Sequence, residues 1–141
     1  MPSSLSSPLI KAMYVATSGM QAQNQRVLII SQNLANAGTR AEKGEMPYQR
    51  QVISFHTVLD KKTGANLIEV KDIKKDGAPP VRIYSPGDPA ADQSGYVYES
   101  NVKPMEEIAD MREAGRSHEA NLRAFEKILL MMQNTIGILK N

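Results

Sequence analysis

Residues 104–139 read PMEEIADMREAGRSHEANLRAFEKILLMMQNTIGIL, and this stretch decides the fold. Alternate steps of three and four from Ile108 reach Met111, Gly115, His118, Leu122, Phe125, Leu129, Met132, Ile136 and Leu139. Only Gly115 and His118 interrupt an otherwise apolar line, and the spacing is the 3.5-residue repeat of a coiled-coil seam. Pro104 suits a first helical turn, where its missing N–H has no partner to lose. Glu106, Glu107 and Asp110 follow with the sign that favours a helix N-terminus, and Lys140 stands at the far end. Glu119 and Arg123 lie four apart in the favourable order. Such a helix is roughly 54 Å long, whereas a compact chain of this size has a radius of gyration of about 14–15 Å. It needs a partner. Within the seam, Gly115 is expected to admit a close backbone approach, and His118 to fix register or to find a hydrogen bond in a wide core.

The other end of the chain supplies that partner. Leu9, Met13, Ala16, Met20, Gln23, Val27, Ile30 and Leu34 follow the same alternating step, with Gln23 the one polar member. The expected first helix covers residues 9–36 and the last 104–141. Matching seams at opposite ends of one chain predict an antiparallel coiled-coil hairpin. Between Leu9 and Asn36 only Lys11 and Arg26 are charged, while Ile10, Tyr14, Val15, Leu28 and Ile29 are apolar positions off the seam. A helix facing water on one side carries more charge than this, so protein on several sides is expected, neighbouring subunits included. Asn36 and Gly38 provide a stop. Residues 1–8, rich in Ser and Pro, are expected to be flexible.

Between the helices the period changes. Val52 to Leu59 alternates, with Ile53, Phe55, Thr57 and Leu59 on one face; residues 61–66 make a turn; Leu67 to Ile73 completes a hairpin. Short strands follow at Val81 to Tyr84 and Tyr96 to Glu99, separated by the turn Pro86-Gly87-Asp88-Pro89. The fold class is therefore mainly α with a small β segment: paired terminal helices (9–36 with 104–141) and a β-rich middle module over 37–103, too thin to stand without the helices.

The sequence carries little sign of chemistry. A net charge of +2 over 141 residues gives no basic patch for nucleic acid. The absence of cysteine removes disulfides, thiolate metal sites and a cysteine nucleophile. His56 and His118 lack a second His or a carboxylate at ligand spacing. Glu106 and Glu107 are adjacent and point apart on a helix, and no glycine loop has phosphate-cradling spacing. No catalytic, cofactor-binding or metal-binding residues are assigned; no cofactor, small-molecule substrate or enzyme activity is expected. The apolar run is too short for a membrane span, the N-terminus has no basic region of a cleavable signal, and Ile128 to Met132 is too short for a membrane-surface helix.

The motifs do match a known group. Ala22-Gln23 through Arg26, then Asn33-Leu34-Ala35-Asn36 with Thr39, is similar to the hallmark of flagellar axial proteins. Pro47-Tyr48-Gln49-Arg50-Gln51 with Phe55, Tyr84-Ser85-Pro86-Gly87-Asp88-Pro89-Ala90-Ala91-Asp92, Gly95-Tyr96-Val97, Asn101-Val102, Met111 and Arg116-Ser117-His118-Glu119-Ala120-Asn121 narrow it further. Over essentially its whole length the chain resembles the flagellar basal-body rod proteins, most closely the proximal member. It departs from them at Ser100, Lys103 and His118, where the family usually has Pro, an acidic or amide residue and an aromatic. The resemblance implies a structural subunit that self-assembles through its terminal helices into a hollow, torque-transmitting shaft. It also implies export through the flagellar type III channel without signal cleavage, and residence in the basal body within the periplasm. The implied partners are other rod subunits, the inner-membrane ring junction, the export apparatus and copies of itself. A distal rod or hook subunit is the alternative within that class, and a coiled-coil adaptor or export chaperone the alternative outside it.

Overall fold

The computed structural model describes residues 7–140. Its elements are α1 (Pro8–Ala35), β1 (Gln51–Leu59), β2 (Asn66–Lys75), β3 (Val81–Tyr84), β4 (Tyr96–Glu99) and α2 (Pro104–Leu139). Of the segment expected to be flexible over 1–8, residues 1–6 lie outside the described residues. Pro8 is already the first helical residue, as Pro104 is in α2; the fixed φ of proline suits both places. α1 stops where the chain offers a cap. The Asn36 N–H returns to the Gln32 and Asn33 carbonyls, the Asn36 side chain donates to the Gln32 carbonyl at 2.8 Å, and Gly38 turns away with φ 71°.

β1 and β2 form the expected antiparallel hairpin, with Leu59 opposite Asn66 and an irregularity between Ser54 and Phe55. The extra residue is Lys71 on β2, and burial along β1 does not follow the strict alternation read from the sequence. Ile53 and Phe55 are half-buried, but Thr57 and Leu59 are exposed. β3 and β4 pair antiparallel as a second small sheet, Tyr84 opposite Tyr96 with their rings edge-on. The β4 backbone also meets the 39–41 segment through Ala41 N–H to the Tyr98 carbonyl, and just beyond it Ser100 N–H donates to the Thr39 carbonyl.

α1 lies between α2 and the hairpin. The helices run antiparallel side by side: Asn33 meets Glu107, Arg26 meets Asp110 and Glu113, and Gly19 meets Asn121. On the other side Asn33 holds Gln51, Ser18 Oγ accepts from the Ile68 N–H, and Lys11 lies against Gly64 at the hairpin tip. The hairpin therefore returns along α1 from its end to its start. Its 9-residue first strand, at about 3.3 Å per residue, matches some twenty helical residues at about 1.5 Å. The apolar core is small: Ala16, Ala22, Ile29, Ile30 and Ala114 at the helix contact, Ala65 at the tip, and Ala91, Val97 and Val102 under the second sheet.

Two expectations need correction. Gly115 is not a point of close approach, since a Cβ placed there meets nothing within 4 Å. That role falls to Gly19, where an added Cβ would stand 2.7 Å from Asn121 Nδ2. Second, α2 does not turn its apolar line fully toward α1. Ile108, Gly115, Leu122, Leu129, Ile136 and Leu139 are exposed, whereas Glu107 and Ala114 are buried and Asn121 and Ile128 half-buried. The covered line shares Met111, His118, Phe125 and Met132 with the expected seam and is displaced by one residue between them. Small and polar side chains occupy it because α1 opposes them with Gly19, Ala22 and Asn33.

Candidate functional site

The most elaborate arrangement in the molecule lies where α1 ends, β1 begins and α2 begins. Asn33, in the last turn of α1, is 1% exposed. Its amide nitrogen donates to the Gln51 carbonyl at 2.8 Å and to Glu107 Oε2 at 3.0 Å. Its oxygen accepts from the Gln51 N–H and the Tyr48 hydroxyl, both at 2.9 Å. A primary amide has two donors and two acceptor positions, and all are used. Asn33 pairs with the Gln51 backbone as a neighbouring strand would, which starts β1 against the helix. Aspartate, serine or leucine would leave part of this set unpaired, and a buried unpaired group is costly.

Glu107 is fully buried. Besides accepting from Asn33 it binds the Arg50 guanidinium through Nε. Arg50 reaches on to Asp76 at 3.4 Å and Asp110 at 3.3 Å, while its backbone N–H donates to Asn101 Oδ1 at 2.7 Å. Burial opposes charge on Arg50, but the hydrogen bond and charge of Glu107, with Asp76 behind them, outweigh it and hold the guanidinium protonated. Burial, aided by the Glu107 carboxylate, raises the Tyr48 hydroxyl above its ordinary range. Every polar group named at this junction is engaged, so no base or nucleophile stands free. It is a lock between three segments distant in sequence.

The sequence points at both halves of the lock without joining them. Asn33 belongs to the expected family motif Asn33, Leu34, Ala35, Asn36 and Thr39, and Arg50 to the Pro47–Gln51 motif. Leu34 is half-buried, Ala35 is exposed, Asn36 caps α1, and Thr39 Oγ1 donates to the Asn36 carbonyl at 2.7 Å. Sequence pattern alone makes Glu107 a dipole-favouring residue of the first turn; its neighbour Glu106 fills that surface role, paired with Lys103 at 2.9 Å. A carboxylate directly beside a dipole-suited one gives no local sign of which is buried. Of the family departures, Ser100 is buried, its Oγ accepting from the Val102 N–H, and Lys103 is exposed.

The seam residues of α1 are all covered at least in part: Ala16 and Ile30 are buried, and Leu9, Met13, Met20, Gln23, Val27 and Leu34 half-buried. Off the seam, Ile29 is buried, while Tyr14, Val15 and Leu28 remain exposed. Beyond His118, α2 buries no side chain among the described residues, and Leu122, Leu129, Leu130, Met131, Ile136, Ile138 and Leu139 are all exposed. His56 faces Glu69 across the hairpin, both exposed. Among the described residues no group of three or more His, Asp or Glu is placed to hold a metal, and no helix is long and apolar enough to cross a membrane.

Most of both helices, with Asn33 and Glu107 of the junction, falls in regions matched by family models. A family model described as flagella basal body rod protein matches residues 13–40, and one described as flagellar basal body rod FlgEFG protein C-terminal matches residues 93–138. These take in the terminal helices and leave the middle unassigned. The flagellar basal-body rod protein FlgC of Agrobacterium fabrum is 40% identical over 134 residues, covering 94% of this chain and 96% of its own length. The chain belongs to the FlgC family of flagellar basal-body rod proteins. FlgC of Bacillus subtilis is 32% identical over 140 residues (88% of this chain, 93% of the relative), and FlgC of Escherichia coli O6:H1 is 30% identical over 130 (92% and 97%). The FlgC matches run through the β module as well as the helices, which separates this chain from axial proteins sharing only the ends. As a FlgC-family member it is a structural component of the flagellar basal body.

Proposed function

We propose that the chain is a subunit of the proximal rod, and that neighbouring rod subunits cover the apolar stripe α2 leaves outside. One observation carries this: likeness to FlgC proteins over nearly the full chain, in a molecule whose last helix presents Leu122, Leu129 and Ile136 to solvent. A chain acting alone has no use for such a stripe, since contiguous exposed apolar surface marks an interaction site. In the rod, residues 9–36 and 104–141 form the inner layer, pairing as a coiled coil along Leu9–Leu34 and the covered line of Met111, His118, Phe125 and Met132, and residues 37–103 lie outside them. Each large side chain newly covered adds roughly 1.5–3 kcal/mol, so many modest contacts make a stiff hollow shaft able to transmit torque.

The same reading gives the partners: copies of this chain, other rod subunits, the inner-membrane ring junction below, and the export apparatus on the way out. The chain travels through that apparatus without signal cleavage and comes to rest in the periplasm. The test is Leu129→Asp. Leu129 is 37% exposed, so the substitution costs the isolated chain part of one side chain's burial, about 1–2 kcal/mol, and leaves it folded, yet the variant is missing from purified basal bodies and the cells do not swim. Normal incorporation and swimming would overturn the assignment of this stripe. Recovery of the wild-type chain only in the cytoplasm, with none in basal bodies, would favour an adaptor.

A further inference from the structure

α2 leaves Leu122 39% and Leu129 37% exposed, although a part-turn would bury them further against α1. Something opposes that gain. Among the described residues two buried side-chain atoms lack a hydrogen-bond partner, Gln23 Oε1 and His118 Nδ1. The antiparallel register of the contacts on either side brings them to the same level of the helix pair. Gln23 is four residues past Gly19 and three before Arg26; His118 is three before Asn121 and five past Glu113. Gly19 meets Asn121, and Arg26 meets Glu113.

We propose that His118, with its proton on Nδ1, donates to Gln23 Oε1, and that this bond between the helices sets the roll of α2. The chemistry is complementary. An amide oxygen only accepts, and imidazole Nδ1 donates in one of its two neutral tautomers. With the ring proton on Nδ1, one bond between these two side chains would satisfy both buried atoms and add no charge. Buried polar atoms are nearly always paired, so two orphans on facing turns answer one another. Rolling α2 to turn Leu122 inward carries His118 and Asn121 sideways past Gln23 and Gly19, which breaks the bond and ends the close approach at Gly19. A polar pair in an apolar seam thus gives up some stability for one defined geometry. The defined geometry keeps the leucine stripe outward, where the rod reading above, on which this inference rests, needs it.

The test uses the isolated full chain, so its outcome is independent of assembly. Nitrogen-15 NMR above the histidine titration range should place the His118 proton on Nδ1, and Gln23→Leu should return it to Nε2. Because the chain has no cysteine, Leu122→Cys gives a single thiol reporting the roll. Its labelling should slow by at least about tenfold when Gln23→Leu and His118→Leu are combined, the change expected for modest burial of one side chain. His118→Asn, whose amide N–H stands where Nδ1–H stood, should keep labelling fast. A His118 proton on Nε2 in the unaltered chain, or equal labelling in all backgrounds, would overturn the proposal and leave the rod assignment standing. Loss of the basal-body result would do the reverse.

Discussion

Asn33→Asp replaces one NH₂ by an oxygen at nearly constant shape, and the junction converts that change into a large loss. The amide nitrogen of Asn33 now donates to the Gln51 carbonyl and Glu107 Oε2 at 2.8 and 3.0 Å. In the variant an oxygen faces two acceptors there. The neutral bond is worth about 0.5–1.5 kcal/mol and the bond to a carboxylate about 1.5–3. Two carboxylates at this separation also repel, by roughly 5 kcal/mol at an effective dielectric constant of about 20. The expected loss at neutral pH is therefore at least about 4 kcal/mol, against a total stability of roughly 5–15 for a domain. Urea denaturation of the purified chain measures it. The sign of the pH dependence follows from the site. Burial and Glu107 raise the folded pKa of the introduced carboxyl above its unfolded value of about 3.9. A raised acid is best tolerated below the unfolded value, and the loss grows as pH rises through the folded pKa. The deficit relative to wild type should thus be largest at neutral pH and narrow on acidification, as the new side chain takes up a proton and donates it to Glu107. Asn33→Leu loses the same bonds without that recovery. An Asn33→Asp variant within about 1 kcal/mol of wild type at neutral pH, the net value of one ordinary hydrogen bond, would refute the idea of a lock.

Further outcomes follow from the helix contact and the second sheet. Gly19→Leu should destabilise by about 1–3 kcal/mol through overpacking against Asn121, whereas Gly115→Ala, with open space around it, should stabilise by about 1 kcal/mol through helix propensity; thermal unfolding of the two variants separates them. Hydrogen bonds from the Tyr96 and Ser94 N–H groups, with help from the Tyr98 hydroxyl, hold Asp92 below the ordinary carboxylate range. A depressed acid contributes above its unfolded pKa and loses that contribution as pH falls through its folded one. Asp92→Asn should therefore be less stable than wild type at neutral pH, with the difference closing at acid pH in a denaturation series.

Much of this fold is written in local chemistry. Pro104 at the second helix's start, the Asn36–Gly38 stop and the alternating hairpin residues act within a few positions of themselves, so the element order can be read from them directly, whereas Pro8, read as part of a flexible end, opens α1. Asn33 and Arg50 stand out for the motifs they sit in, but their joint role cannot be read there. Glu107, which links them, is 74 residues from Asn33. The same limit hides Gly19, whose use depends on Asn121.

By itself the sequence determined two long helices with matching apolar lines, a thin β module between them and membership in the rod proteins. Only the tertiary structure decided which line of α2 is covered. A period of three and four fixes a stripe on a helix, but neighbouring lines on that stripe differ by one residue, about 100° of rotation. Choosing between them depends on the surface opposite, and here that surface is Gly19, Gln23 and Asn33. They draw small and polar residues inward and leave the leucines of α2 outside.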